Sequence, residues 1–154
     1  MIMILPKTKI RAYNATDKTA ILYLLQLNTP KYFAPDEQND LIYYLDNELQ
    51  FYFVLETDAQ IVGCGGFNLA ADRTVGYIAW DILHPEYQGR GLGGSLLKHR
   101  ITQLQTIVSV QKIIVRTSQL AYIFYEKQGF QLLFIEKDYW AKGFDLYEME
   151  YLNI

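Results

Sequence analysis

The sequence predicts an α/β (α+β) fold: a mixed, mostly antiparallel sheet of six to seven strands flanked by about four helices, in one domain over residues 1–154. Three observations carry this expectation. Between residues 51 and 83, three runs rich in aromatic and β-branched residues follow one another with only short turns between them, the pattern of an antiparallel meander. A glycine-rich stretch at 88–95 then opens a long run of helical periodicity, which a short apolar segment follows. The strand–helix–strand unit over 74–117 should therefore hold a parallel pair joined by a right-handed crossover. Finally, 154 residues, 51% of them hydrophobic, suffice for a real core, and disorder is excluded by that hydrophobicity.

In chain order, residues 7–13 alternate weakly and read as a strand. Thr16 and Asp17 offer side-chain oxygens to cap a helix whose apolar stripe is Ile21, Leu22, Leu24 and Leu25. Pro35, Asp36 and Glu37 suit the first turn of a second helix that buries Leu41, Ile42 and Leu45. Residues 51–56, 61–69 and 74–83 are the meander, which His84-Pro85 ends because proline cannot donate to a ladder. Leu92, Leu96, Leu97, Ile101, Leu104 and Val108 recur at helical spacing. Residues 112–116 read as a strand, 119–128 as a helix closed by Gly129 in a left-handed position, and 131–135 and 144–151 as two last strands.

The net charge of −3 offers no general field for nucleic acid. The one cysteine, Cys64, sits in an apolar run and reads as a buried structural thiol. It cannot form an internal disulfide, and no Cys/His cluster suggests a metal. The apolar run Met1–Leu5 is too short for a signal segment, and no stretch is long enough to span a bilayer, so neither membrane nor export is expected and a reducing cytoplasm is the default location.

The stretch Gln88-Gly-Arg-Gly-Leu-Gly-Gly-Ser95 is the most informative part of the chain. Glycines 89, 91, 93 and 94 allow positive φ and close approach of a ligand to the backbone. The first N–H groups of the following helix have no internal partners, and the dipole is positive there, so this end suits phosphate. Gln88 and Arg90 add a polar donor and a charge. A Walker loop is rejected because Ser95 stands where its lysine is required. A dinucleotide fingerprint is spelled by Gly89, Gly91 and Gly94, but it follows a meander, and Ile113 and Ile114 occupy the place of the ribose-binding acid. On spacing alone, a plain turn feeding a helix also remains open.

Two motifs together go further. Gln88-Gly89-Arg90-Gly91-Leu92-Gly93 fits the Q/R-x-x-G-x-G/A motif of the GNAT superfamily of N-acetyltransferases, and residues 121–130, AYIFYEKQGF, resemble its A-x-x-FYEKxGF segment. The element order agrees over nearly the whole chain, the first 50 residues in layout only. The resemblance implies acetyl-coenzyme A as acyl donor, held where two neighbouring parallel strands splay apart. It implies that backbone N–H groups over Gln88–Gly93, extended to Gly94, hold the pyrophosphate. It further implies that the free backbone of Asp81, Ile82 and Leu83 pairs with the pantetheine arm, the Asp81 N–H polarising the thioester carbonyl. The reaction implied is direct attack by an amine of a small molecule or protein, with no covalent enzyme intermediate. The resemblance also implies assembly as a homodimer through the C-terminal strands.

By the same resemblance Tyr125 protonates the leaving thiolate, and Ser118 stands where the family often has a contacting asparagine. Many relatives place an acidic or histidine base eleven residues before the motif glutamine. Here that position is Tyr77, a poor base. Strict strand alternation puts Asp81 on the same face, between apolar Trp80 and Ile82, and makes it the candidate base. Asp72 and Glu136 are fallbacks, and a water chain is another route. The missing base keeps a second reading alive, a non-catalytic acyl-coenzyme A-binding or regulatory module. His84 reads as a turn residue. Lys98, His99 and Arg100 read as a solvated face from which Arg100 approaches the nucleotide's 3′-phosphate. Trp80 and Trp140 read as core or cleft wall, and Tyr32, Phe33, Tyr43 and Tyr44 as an acceptor wall or ordinary packing.

Overall fold

A computed structural model describes residues 7–153; the run Met1–Leu5 lies outside them. Strands β1 (Thr8–Ala12), β2 (Phe51–Thr57), β3 (Gln60–Leu69), β4 (Val75–Leu83), β5 (Lys112–Thr117), β6 (Phe130–Ala141) and β7 (Phe144–Tyr151) form one sheet in the order β1-β2-β3-β4-β5-β7-β6. Helices α1 (Lys18–Leu27) and α2 (Glu37–Tyr43) pack on one face, while α3 (Leu92–Gln105) and α4 (Tyr122–Lys127) serve the other. Every neighbouring pair is antiparallel except β4 and β5, the pair that α3 joins. No helix among the described residues is long and apolar enough to cross a membrane.

The local signals mostly place the elements; Val108, expected in the helical stripe, instead lies past the end of α3 and is fully exposed, and three further departures have simple causes. The cap before α1 is Asn14, whose side chain accepts from the Thr16 N–H while Asp17 accepts from the Asn14 N–H; Asp17 closes this box rather than capping α1 itself. Helix α4 starts three residues later than expected because Ala121 and Tyr122 both donate to the Ser118 carbonyl, making a turn first. Strand β6 continues to Ala141, since a tight turn at Lys142-Gly143, with Gly143 at φ 83°, lets β7 pair with it as far as Ala141 and Phe144.

Burial follows the sheet faces. Phe67, Ile78, Leu97, Leu104, Ile113 and Met149 fill the layer under α3, and Ile21, Leu24, Leu41, Val54, Cys64 and Ile82 the layer under α1 and α2. Each such side chain contributes roughly 1.5–3 kcal/mol on burial. This core fixes two irregularities that make the site.

The first is a bulge. Cys64 pairs with Ile82 and Gly66 with Ala79, so Gly65 alone opposes both Trp80 and Asp81. Trp80 takes up the extra residue at φ 51°, a left-handed conformation rare outside glycine. The bulge overturns the strict alternation expected of β4. Tyr77 and Ala79 face the α1–α2 side, but Asp81 is turned to the opposite face, toward α3 and α4. The second irregularity is the end of the parallel pairing at Ile78 and Val115. Beyond it β5 stays with β7, through Arg116–Glu148 and Thr117–Tyr147, while β4 runs on to Leu83. Among the described residues, 79–83 therefore have no strand on their β5 side.

Candidate active site

The opening between β4 and β5 is the floor of a cleft of about 1130 Å³. At one end stands the glycine loop. Gly89 and Gly91 adopt φ 77° and 78°, which glycine tolerates without a Cβ penalty, and Gly91 is the residue from which α3 starts. The Ser95 N–H is bonded to the Gly91 carbonyl at 3.1 Å. The amides of Leu92, Gly93 and Gly94 precede it in the first turn, where a helix supplies no acceptor. A Cβ built on Gly91 would meet nothing within 4 Å, so the space in front of the loop is open to a ligand.

At the centre lies a polar cluster under the bulge. Arg100 is only 1% exposed, and it donates from Nε to the Leu96 carbonyl (3.2 Å), from Nη1 to the Gly66 carbonyl (3.0 Å), and from Nη1 to Asp81 Oδ1. Tyr125 donates to Asp81 Oδ2 at 2.5 Å. Gly65 permits this: a side chain there would collide with both Asp81 and Arg100. Burial works against the charge on Arg100, but Asp81 outweighs it and the guanidinium is held above its ordinary value. The Tyr125 hydroxyl is pushed well above its ordinary value, first by burial and then by the charge and hydrogen bond of Asp81.

Helices α1 and α2, the segment between them and the end of β6 build the far end. Asn28 ties α1 to β4, its Nδ2 donating to the carbonyls of Leu24 (2.8 Å) and Leu83 (3.0 Å). Phe33 stacks on Trp80 with centroids 6.1 Å apart, and Tyr44 lies 6.5 Å from the same indole. Tyr52 donates to the Trp80 carbonyl at 2.8 Å, fixing the bulge. Trp140 closes the opposite wall, its Nε1 donating to the Thr117 carbonyl at 3.0 Å. The carboxyl of Glu37 lines this end, one oxygen accepting from the Ala34 N–H at 2.7 Å. Burial pushes it above the ordinary carboxylate range, against that hydrogen bond and with help from Asp40.

Nine of the twelve residues implied to bind the coenzyme line this one cleft: Asp81, Ile82, Leu83, Gln88, Gly89, Gly91, Gly93, Gly94 and Ser118. The Ser118 hydroxyl accepts from the Leu120 N–H at 3.2 Å. The side chain of Arg90 turns away onto the Tyr87 ring (4.9 Å), Leu92 packs toward the core, and Tyr125 lies just beneath the cleft surface, 5% exposed. Tyr32, Phe33 and Tyr44 line the cleft, whereas Tyr43 is 60% exposed outside it. His84 is a turn residue as expected, its Nδ1 accepting from the Glu86 N–H at 3.1 Å. Cys64 is fully buried and its thiol is pushed up to about 12 by burial.

Arg100 corrects the solvated-face reading of residues 98–100, since it is buried and committed to Asp81 rather than free to reach a phosphate. The signal was available: Arg100 stands four residues after Leu96 and four before Leu104, inside the apolar stripe of α3. Glu37 reads in the sequence only as a first-turn helix residue and Asn28 carries no signal of its own, so nothing local marks either as cleft lining.

Comparison with known proteins gives the family and the fold. Residues 48–132, more than half of the chain, match the family described as "Acetyltransferase (GNAT) domain". The chain is 27% identical over 128 residues to an amino-acid acetyltransferase of Pasteurella multocida, a match that covers 80% of this chain but only 27% of that protein. The chain thus spans about a quarter of the length of the curated relatives it matches first. The fold is similar to that of the ribosomal-protein-S18-alanine N-acetyltransferase of Escherichia coli, with TM-score 0.78 and 20% identity over 94% of this chain and 93% of that one. It is also similar to an aminoglycoside 6′-N-acetyltransferase complexed with coenzyme A, with TM-score 0.75 and 14% identity over 92% and 95%.

Proposed function

The chain belongs to the GNAT acetyltransferase family, and from that premise we propose that it transfers an acetyl group from acetyl-coenzyme A to a primary amine of a small molecule or protein by direct attack. The observation that carries this reading is the junction of an unpaired β4 edge with a left-handed glycine loop at the head of α3, both opening into one cleft. The two parts fit a donor with an anionic pyrophosphate and an amide-bearing arm. The amides of residues 89–94 suit the pyrophosphate. The free edge of residues 79–83 suits the arm, which pairs as a strand would, and the Asp81 N–H at the bulge is the donor toward the thioester carbonyl.

When bound, acetyl-coenzyme A supplies the activated acyl group, and the chain's own residues handle the protons. Asp81 receives a proton from the attacking amine, and Tyr125 gives its proton to the leaving thiolate. The hydrogen bond between them then returns the proton of Asp81 to Tyr125, so both groups end as they began. A hydroxyl whose pKa is raised stays protonated across the working range, which is the form an acid must keep. Arg100 acts as a positioning residue, holding Asp81 beneath the cleft.

Thermal shift with acetyl-coenzyme A, coenzyme A, ATP and NAD, followed by an amine screen with free-thiol detection, tests the reading. Stabilisation by the two coenzyme A species together with thiol release supports it. Stabilisation without thiol release from any amine would favour the non-catalytic binding module instead. The homodimer rests on β6, the last strand of the sheet, which exposes Leu132, Leu133, Phe134 and Ile135 on both faces beside an unpaired edge. Sedimentation showing a monomer at micromolar concentration removes that part.

A further inference from the structure

We propose, on the basis of the acetyl-transfer reading above, that the acceptor is a cationic amine with an apolar or aromatic body and no carboxylate. The charges around the cleft carry the argument. Four carboxylates line it, Glu37, Glu48, Asp81 and Glu148, against two guanidiniums, Arg100 and Arg116. Neither guanidinium is free. Arg100 is buried on Asp81 and two backbone carbonyls. Arg116 pairs with Glu148 at 3.2 Å, donates to the Tyr139 hydroxyl at 2.9 Å and lies 5.0 Å over the Tyr139 ring. Once these pairs are formed, Glu37 and Glu48 remain, and neither forms an ion pair among the described residues.

The uncompensated charge therefore lies at the end of the cleft where Phe33, Trp80 and Tyr44 form an aromatic wall. Aromatic faces attract cations and cover apolar surface at the same time. The opposite end is the positive head of α3. A cleft polarised in this way draws an anionic donor to one end and a cationic acceptor to the other. An α-amino acid would bring a carboxylate to an end that offers it no unpaired cation, leaving that group desolvated beside two acids.

Matched amines that differ only by the carboxylate test this directly: tryptamine against tryptophan, and cadaverine against lysine. With acetyl-coenzyme A saturating, kcat/KM should be at least about tenfold higher for the carboxylate-free member of each pair, a factor equal to about 1.4 kcal/mol of discrimination. The paired substitution Glu37→Gln with Glu48→Gln should raise KM for tryptamine about tenfold and narrow the gap to tryptophan. Glutamine at position 37 keeps an oxygen for the Ala34 N–H, so the turn is retained. Equal or better use of the amino acid, or a gap that survives neutralisation, overturns the proposal. If none of the four amines is used while another amine of the screen releases thiol, the acceptor class is wrong and the transfer reading stands; if acetyl-coenzyme A stabilises the protein and no amine releases thiol, the transfer reading fails. Absence of that stabilisation defeats the transfer reading itself.

Discussion

The two ends of the cleft are built from different material. The proposed donor end is backbone: glycines at positive φ, the first amides of α3, and a strand edge freed by a bulge. The proposed acceptor end is side chain, with Phe33, Glu37, Tyr44, Trp80 and Trp140 brought together from separate segments. A backbone site depends on a short, local sequence and tolerates change around it. A side-chain site depends on packing between distant elements and on which charges are already paired. The two ends should therefore break differently under mutation.

The donor end should fail completely at a single residue. Gly91→Glu forces a side chain onto a residue at φ 78° and places a carboxylate in front of the loop amides. Because a Cβ there meets no atom within 4 Å, the fold should survive while coenzyme A binding is lost by calorimetry. Wild-type affinity in the folded variant would move the donor site elsewhere.

The centre should lose rate rather than affinity. Tyr125→Phe keeps the ring packing against Phe124 and Phe130 but removes the proton. The expected cost is about 10²–10⁴-fold in kcat with donor affinity little changed. Asp81→Asn should alter the low-pH arm of the rate profile, and an amine already neutral at that pH should restore part of the rate. Near-wild-type turnover of Tyr125→Phe would make the tyrosine structural.

Arg100→Leu separates positioning from catalysis through stability. Removing one partner of a buried ion pair leaves Asp81 without its guanidinium, and such losses run to about 3–5 kcal/mol. Urea unfolding should show a drop of that order, and adding Asp81→Asn should recover much of it. Independent, additive losses would mean the two residues are not coupled.

The same division explains what the sequence disclosed. The loop over 88–94 and the segment 121–130 are contiguous motifs, so the parallel pair and the left-handed glycine loop at the head of α3 were legible from them. The acceptor end was not, because whether Phe33 and Tyr44 line a cleft or merely pack depends on where α1 and α2 settle on β4. The face of Asp81 was misread for a different reason. Period-2 alternation holds only in a regular ladder, and the insertion of Trp80 opposite Gly65 shifts everything after it by one position. Arg100 was hidden because an arginine beside a lysine and a histidine resembles a solvated face, although its helical spacing places it among leucines.

The smallest effect belongs to the acceptor end, and it tests whether that end really holds a carboxyl without a cation. Burial, with Asp40, keeps Glu37 above the ordinary glutamate value near 4.5. The folded chain therefore binds this proton more tightly than the unfolded chain does. The stability it contributes is fully present below the unfolded pKa and is lost as pH rises through the higher, folded value. Glutamine carries no charge at any pH and still accepts from the Ala34 N–H. The melting temperature of Glu37→Gln, relative to wild type, should therefore rise as pH increases across this window and level off above it. A constant difference would mean that the carboxyl is not perturbed. A relative fall with rising pH would mean that Glu37 is paired with a cation in solution, and the negative acceptor end would then lose one of its two unpaired acids. A bound cationic amine should shrink the wild-type loss in the same window, because it supplies to the ionised carboxylate the partner that the fold withholds.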